Sequence, residues 1–398
     1  MDRTVTARKR HPRGVKRWTR DVVLLVALAS VAGCGTPRQT LKPVPANPAV
    51  AQTVNMLVAT TRAADPKPGV VFSGERGTGL SLADITVSIP DNRTVGQVNW
   101  PRTVPGDPAR DFVATKVTPL PNAKIGSWFA ALPNRPRPVL IFVHGFNTRF
   151  DASVFRFAQI VHDSDEKAAP VLFSWPSRGR IFDYGYDRES ANFSRSDLAF
   201  VIRAAAQSPA VSSVTIMAHS LGAWLAVEAV RQIALQDHGV PSKVKNVILA
   251  SPDLDIDVFR RQLEDMGPRR PRMTIFVSSN DRALSVSRLL GGGVTRVGAV
   301  DLTQEPYKSQ FEHATGVTVI DLSHLNTGDR LQHTQFATSP EIVQLLGQRE
   351  VAARLISNQR AQPEGLGGRA QDAGTLLGSL AGVVFSAPVL IFDSARGN

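Results

Sequence analysis

Ser220, Asp281 and His333 have types, and an order along the chain, that could supply a nucleophile, an orienting acid and a base. A serine hydroxyl is a poor nucleophile until a neighbouring base takes its proton, and the base needs a third group to fix its tautomer. Ser220 follows Val214-Thr215-Ile216-Met217-Ala218-His219 and precedes Leu221-Gly222, with an apolar helical pattern continuing through Trp224, Val227 and Val230. β-Favouring residues running into the serine and helical spacing after it read as strand, sharp turn, helix. Such an elbow lifts a serine clear of a sheet, where a histidine can reach it. Small residues two before and two after let strand and helix cross closely; here they are Ala218 and Gly222, one methyl group away from Gly-x-Ser-x-Gly. The competing reading, a chance Ser-Leu-Gly at a buried helix start, leaves the strand before it unexplained.

The acid and the base are sought downstream, because an elbow serine is followed in chain order by acid and then histidine. Asp253 follows a predicted strand, Val244–Ala250, and Asp281 follows another, Met273–Ser278. Position after the later strand favours Asp281, whereas Asp253, with Asp255 and Asp257, suits a helix start whose free amides carboxylates can accept. Of His313, His324 and His333, the last is favoured, because it lies in a polar loop just after the predicted last strand, Val317–Leu322; His324, at that strand's end, is the alternative. An oxyanion formed on attack needs fixed donors, and losing one costs about 3 kcal/mol. The backbone amides of Leu221, at the helix start, and Phe146, in the turn His144-Gly145-Phe146, are the candidates. His144 precedes the serine and is read as orienting that turn. No metal-ligand cluster and no Gly-rich phosphate loop ahead of a lysine is present, so neither metal nor cofactor is expected.

The elements that must position these residues are legible as apolar runs. Pro138–Val143 and Pro170–Pro176 are continuous, as expected of parallel strands buried on both faces. Helical spacing covers 150–162 and 196–207, and 340–346 is read as helical. Val54–Thr60 and Ile85–Ile89 are predicted strands around a Gly-rich turn at 69–79, and Gly126–Ala130 is predicted as a short strand after a Pro-rich polar stretch. Ser177–Arg195, polar and aromatic, is read as a loop and candidate wall of a substrate pocket. Strand and helix alternate throughout, which predicts an α/β fold: a three-layer sandwich with a mostly parallel central sheet.

With 398 residues, 42% hydrophobic and 20% charged, the chain can bury one large core. The net charge of +12 is spread along the sequence with no basic helix or aromatic-rich module, which argues against nucleic acid and suits an anionic membrane face. The single cysteine excludes an intramolecular disulfide and a thiolate metal site. Met1–Arg20 is basic, Val22–Ala32 is apolar, and Val31-Ala32-Gly33-Cys34 ends in small residues and that cysteine, the layout of a secretory signal. It resembles a bacterial lipobox, and the resemblance implies cleavage before Cys34 and lipidation there, an anchor to the membrane. The expected organisation is a signal peptide at 1–33, a Pro-rich tether at 34–51, a catalytic domain at 52–350 and a C-terminal extension at 351–398. Within the extension, Leu376–Phe392 is apolar but broken by Gly378, Gly382 and Pro388 and short of a span of about 20 residues, so it is read as a docking segment.

VHGFNT, FSWPSRG, YDRESA, MAHSLGAWL, LASPDLDIDVF and SSNDRAL occur in this order. With these motifs the chain from about Val54 to Leu346 resembles the bacterial α/β-hydrolases catalogued as domain of unknown function 900. The resemblance implies an α/β-hydrolase fold and a Ser-Asp-His site of esterase type; it brings no physiological substrate. The expectation is therefore a serine hydrolase acting on a small-molecule or lipid ester, lipid-anchored in the bacterial cell envelope and facing the periplasm or outer membrane. A catalytically silent scaffold that binds ligands in the envelope, and an acyltransferase using the same triad with an alcohol in place of water, are the alternatives.

Overall fold

The computed structural model describes residues 39–45, 51–312, 315–323, 331, 333–339, 343 and 384–386. The chain enters through a hairpin of β1 (Ala51–Asp65) and β2 (Val71–Pro90), to which β3 (Val113–Leu120) adds antiparallel. Then strand and helix alternate: α1 (Ile125–Ala130), β4 (Arg137–Val143), α2 (Phe150–Asp163), β5 (Ala169–Ser174), α3 (Tyr184–Phe193), α4 (Arg195–Gln207), β6 (Val211–His219) and α5 (Leu221–Gln236). The second half continues with β7 (Val244–Ala250), α6 (Ile256–Met266), β8 (Arg272–Val277), α7 (Arg282–Leu290), α8 (Tyr307–Glu312), β9 (Val317–Asp321) and α9 (Gln335–Thr338). A last strand, β10 (Val384–Ser386), pairs antiparallel with β9 and lies within the apolar stretch noted near the C-terminus.

These strands make one ten-stranded sheet in the order β10-β9-β8-β7-β6-β4-β5-β1-β2-β3. From β1 to β9 the neighbours along this order are parallel, and antiparallel strands close both edges. β4 has β5 on one side and β6 on the other, so the chain reverses its direction of travel across the sheet there. At such a switch point the loops leaving adjacent carboxyl ends diverge and open a crevice, the usual ligand position in open α/β sheets.

Two apolar layers sandwich the sheet. Val139, Ile141 and Val143 of β4 pack with Leu225, Val227 and Val230 of α5, while Leu140 and Phe142 pack with Phe155 and Phe157 of α2 on the other face. The period-2 alternation of strand side chains thus feeds both layers from one continuous apolar run. Each such aliphatic side chain contributes roughly 1.5–3 kcal/mol when fully buried.

Three local expectations are corrected. The Gly-rich stretch predicted as a turn lies mostly inside β2, which begins at Val71, because long pairing with β1 outweighs the low strand propensity of glycine. Gly126–Ala130 is helical: Ile125 and Phe129, four apart, are its buried residues, a spacing that five residues cannot distinguish from a strand. The stretch after β5 is no long loop, since Tyr184–Phe193 forms α3 and buries Asp187, Ser190 and Ala191. Among the described residues no helix is long and apolar enough to cross a membrane.

Candidate active site

Ser220 sits between β6 and α5 with φ 53° and ψ −124°. A positive φ costs a non-glycine residue of order 1–3 kcal/mol and persists only where the surroundings enforce it. Here they do: Ser220 N–H donates to Ala250 O at 3.0 Å, and Ser220 O accepts from Asp253 N–H at 3.1 Å and Ala223 N–H at 2.9 Å. Two glycines permit the packing around it. A Cβ on Gly222 would lie 2.1 Å from His144 O, and one on Gly145 would lie 2.9 Å from Ser220 Cβ and 2.7 Å from His219 Nδ1. The turn after β4 is thereby pressed against the elbow.

Asp281, fully buried, begins α7 just after β8. Its two oxygens do different work. Oδ1 accepts from Leu284 N–H at 2.9 Å and caps the helix; Oδ2 lies 2.7 Å from His333 Nδ1. A carboxylate can only accept, so Nδ1 carries the hydrogen and Nε2 is left as the basic nitrogen. The imidazole of His333 rests against that of His219, ring centroids 4.7 Å apart, and His219 Nε2–H donates to His333 O at 3.1 Å. His219 directly precedes Ser220, so this contact brings the His333 ring beside the elbow. Burial, and then the neighbouring His333, hold the His219 pKa well below the ordinary histidine value.

The turn His144–Thr148 is braced by a buried arginine. Arg62 of β1, 1% exposed, donates from Nε to Ser174 Oγ at 2.9 Å, from Nη1 to Ser73 O at 3.0 Å and Ser177 O at 2.8 Å, and from Nη2 to Thr148 O at 2.8 Å. Nη2 also lies 3.3 Å from His144 Nε2. Burial and the Arg62 charge push the His144 pKa down to about 3, so the ring is neutral, donating from Nδ1 to Gly145 O at 2.8 Å. It stacks on Trp175, whose indole N–H donates to His144 O at 2.8 Å. Asp187 completes the brace by accepting from the Ser177 hydroxyl, from Arg178 N–H at 3.0 Å and from Asn147 N–H at 3.3 Å. Phe146 is therefore held from both sides. Neither its amide nor that of Leu221 donates to another described residue, which leaves both available to an oxyanion.

Asp253 is not a helix cap. Asp255 caps α6, accepting from Asp257 and Val258 N–H, whereas Asp253 is buried and accepts from Tyr184 Oη at 2.9 Å and Ser287 Oγ at 2.5 Å. Arg296 Nε stands 3.2 Å from Asp253 Oδ1, both side chains almost wholly buried. Burial and the Asp253 charge push the Tyr184 hydroxyl up to about 12. The Tyr184 ring meets Phe146 edge to face at 5.2 Å, so one residue of the expected pocket wall reaches the turn after β4.

Cys34, His313 and His324 lie outside the described residues, as do most of the 340–346 stretch and the C-terminal extension. Arg62 and Arg296 were not foreseen as parts of the site, and Tyr184 and Asp187 only as members of the Ser177–Arg195 stretch. The available signals were a charged residue inside the apolar strand ending Ala-Thr-Thr-Arg, and Asp187 within the YDRESA motif. Among the described residues no group of three or more His, Cys, Asp and Glu could hold a metal ion.

Residues 123–349 match the family described as alpha/beta hydrolase of unknown function (DUF900), and the chain belongs to that family. Comparison with curated proteins yields no match. Among solved structures the chain is similar to a hyperthermophilic esterase from the archaeon Pyrobaculum calidifontis, with 11% identity, 85% of this chain and 92% of that chain covered, and a TM-score of 0.33. It is also similar to esterase B from Lactobacillus rhamnosis, with 11% identity, 87% and 98% covered and a TM-score of 0.35. A third is a lipase-esterase related protein from Clostridium acetobutylicum, with 11% identity, 56% and 95% covered and a TM-score of 0.30. The α/β-hydrolase assignment rests on the family match and on the sheet described above.

Proposed function

We propose that the protein is a serine hydrolase of esterase type. The observation that supports this most is the strained Ser220 elbow with His333, held by buried Asp281, brought beside it. Ser220 Oγ attacks the ester carbonyl as His333 Nε2 takes its proton; Asp281 holds the tautomer and stabilises the imidazolium. The carbonyl oxygen gains the charge and is received by the amides of Phe146 and Leu221, the latter also at the positive end of α5. Collapse of the tetrahedral intermediate breaks the bond to the alcohol, which leaves with the proton from His333. A water molecule then repeats the sequence on the acyl-enzyme, releases the acid and restores Ser220. The test is a panel of esters and a serine-directed phosphonate, applied to the wild type and to Ser220→Ala. Turnover and labelling should both vanish in the variant with the melting temperature nearly unchanged; labelling that survives rejects Ser220 as the nucleophile.

We further propose, on the N-terminal sequence alone, that the protein is tethered in the bacterial envelope by lipid on Cys34. The basic and apolar segments ahead of Val31-Ala32-Gly33-Cys34 support it. Metabolic labelling with a fatty acid should mark the wild type and not Cys34→Ser; equal incorporation rules the anchor out.

A further inference from the structure

Five large apolar side chains stand in solvent on the segments that carry the site. Ile181 and Phe182 lie in the 3-10 turn Ile181–Asp183 leading into α3, Val286 and Leu289 on α7, and Leu331 two residues before His333. Phe182 is 93% exposed and Leu289 80%. Hydrogen bonds tie these segments together around the crevice: Tyr184 Oη meets Ser287 Oγ at 3.0 Å, and Arg282 N–H donates to Leu331 O at 3.0 Å. In α7 the pattern is unusual for a solvated helix. Leu284 and Ser287 turn inward, while Val286 and Leu289 are exposed, as are Arg282 and Arg288 on the same helix.

The charge around these residues has one dominant sign. Exposed Arg180 directly precedes Ile181–Phe182, exposed Arg188 lies on α3 that follows, and residues 282–300 contain no aspartate or glutamate. Nearby acids are partly spent: Glu75 pairs with Arg178 at 2.8 Å and Asp183 lies 3.6 Å from the same arginine, which leaves exposed Glu189. An aromatic tip and aliphatic side chains interspersed with arginines match a bilayer, whose acyl layer takes the former and whose anionic headgroups take the latter.

We propose that this rim docks on an anionic lipid surface, Phe182 and Leu289 entering the acyl layer, so that the crevice over Ser220 opens toward the membrane. The substrate would then be an ester held in that membrane. The substrate half rests on the esterase reading; the docking half does not.

The docking test uses a dye on the rim itself. Cys34→Ser removes the chain's single cysteine, and Phe182→Cys in that background accepts an environment-sensitive thiol dye. Vesicles of equal parts phosphatidylcholine and phosphatidylglycerol should shift its emission to the blue, and vesicles of phosphatidylcholine alone should do so far less. The same dye on Leu235→Cys should stay at its aqueous emission, because Leu235 is near the far end of the 16-residue α5, about 24 Å long. A second measurement uses unlabelled Phe182→Asp/Leu289→Asp. It should turn over a soluble short-chain ester as the wild type does, yet lose at least about tenfold on an ester embedded in the anionic vesicles, since burying one such side chain is worth a factor of that order.

Aqueous emission at position 182 with anionic vesicles overturns the docking, and so does an equal response at 235. Emission already blue without vesicles also overturns it, because protein such as the chain's own Leu376–Phe392 stretch would then cover the rim. Equal loss on both esters overturns the substrate half. A full dye response with no turnover of either ester upholds docking and rejects the esterase reading.

Discussion

Asp281 serves a helix with one oxygen and a histidine with the other, and two substitutions separate the tasks. In Asp281→Asn the side-chain carbonyl still caps α7 through Leu284 N–H, since asparagine and aspartate cap about equally well. The amide, however, presents N–H to His333 Nδ1 at a position that is now a 2.7 Å contact with a carboxylate oxygen. Nδ1 must then accept, its hydrogen moves to Nε2, and the nitrogen meant to receive the Ser220 proton is blocked. A wrong tautomer of this kind costs on the order of 10⁴-fold in turnover, or about 5 kcal/mol of transition-state stabilisation. Asp281→Ala should lose as much turnover and, in addition, about 1 kcal/mol of stability with the cap. The assay is kcat/KM on one soluble ester, with thermal melts of wild type and both variants. Asp281→Asn should melt within about a degree of wild type and Asp281→Ala roughly 2–4 °C lower. Retention of turnover within tenfold in Asp281→Asn refutes the assignment of the acid, and equal melting of the two variants refutes the division of labour.

Asp253→Asn should be the reverse case, destabilising by roughly 3–5 kcal/mol because Arg296 is left buried without its counter-charge. Urea unfolding measures it, and turnover per folded molecule should change far less than in Asp281→Asn; wild-type stability would refute the pairing. Arg62→Met should lower kcat about 10²–10³-fold with little change in KM, through loss of the braced amide at Phe146; an unchanged kcat detaches the arginine from the oxyanion turn. Stability should fall as pH drops below about 6.5, because the unfolded chain then binds protons that buried His144, with its pKa pushed down to about 3, and His219 refuse. His144 alone gives a slope of about 1.4 kcal/mol per pH unit, to which His219 adds in the same direction, read from denaturant midpoints across pH 6 to 4. His144→Asn should remove the His144 share, about 1.4 kcal/mol per pH unit.

Long apolar runs and the elbow could be read from sequence because their cause is local. A strand buried on both faces must be apolar at every position, and Leu140, Ile141 and Phe142 meet that demand whatever their partners are. The hairpin resisted, since what keeps the Gly-rich part of β2 extended is its register against β1, where Val71, Phe72 and Arg76 pair with Asp65, Ala64 and Arg62, 6, 8 and 14 positions away. The short stretch at Gly126 resisted for want of length: one helical turn offers two buried residues, and two points fit either period.

The acids show where such reading stops. Three aspartates, at 253, 255 and 257, stand at alternate positions, and any of them could cap a helix beginning nearby. The structure starts α6 at Ile256, which makes Asp255 the cap and frees Asp253 to face Tyr184, Ser287 and Arg296, partners 69, 34 and 43 residues distant. Chain order brings out Asp281 and His333, which lie 2.7 Å apart, because that order follows from the sequence of strands in the sheet. Arg62 has no such rule. Its partners lie between 11 and 115 positions away, and its five contacts fall on β2, on β5 and on the segments that follow β4 and β5. A buried guanidinium is tolerable only if nearly all its donors are satisfied, so those carbonyls and the Ser174 hydroxyl must all be held around the arginine. The turn after β4 is consequently fixed by the completed sheet as well as by its own residues, which is why Phe146 could be named from its neighbours while the group that holds the turn could not.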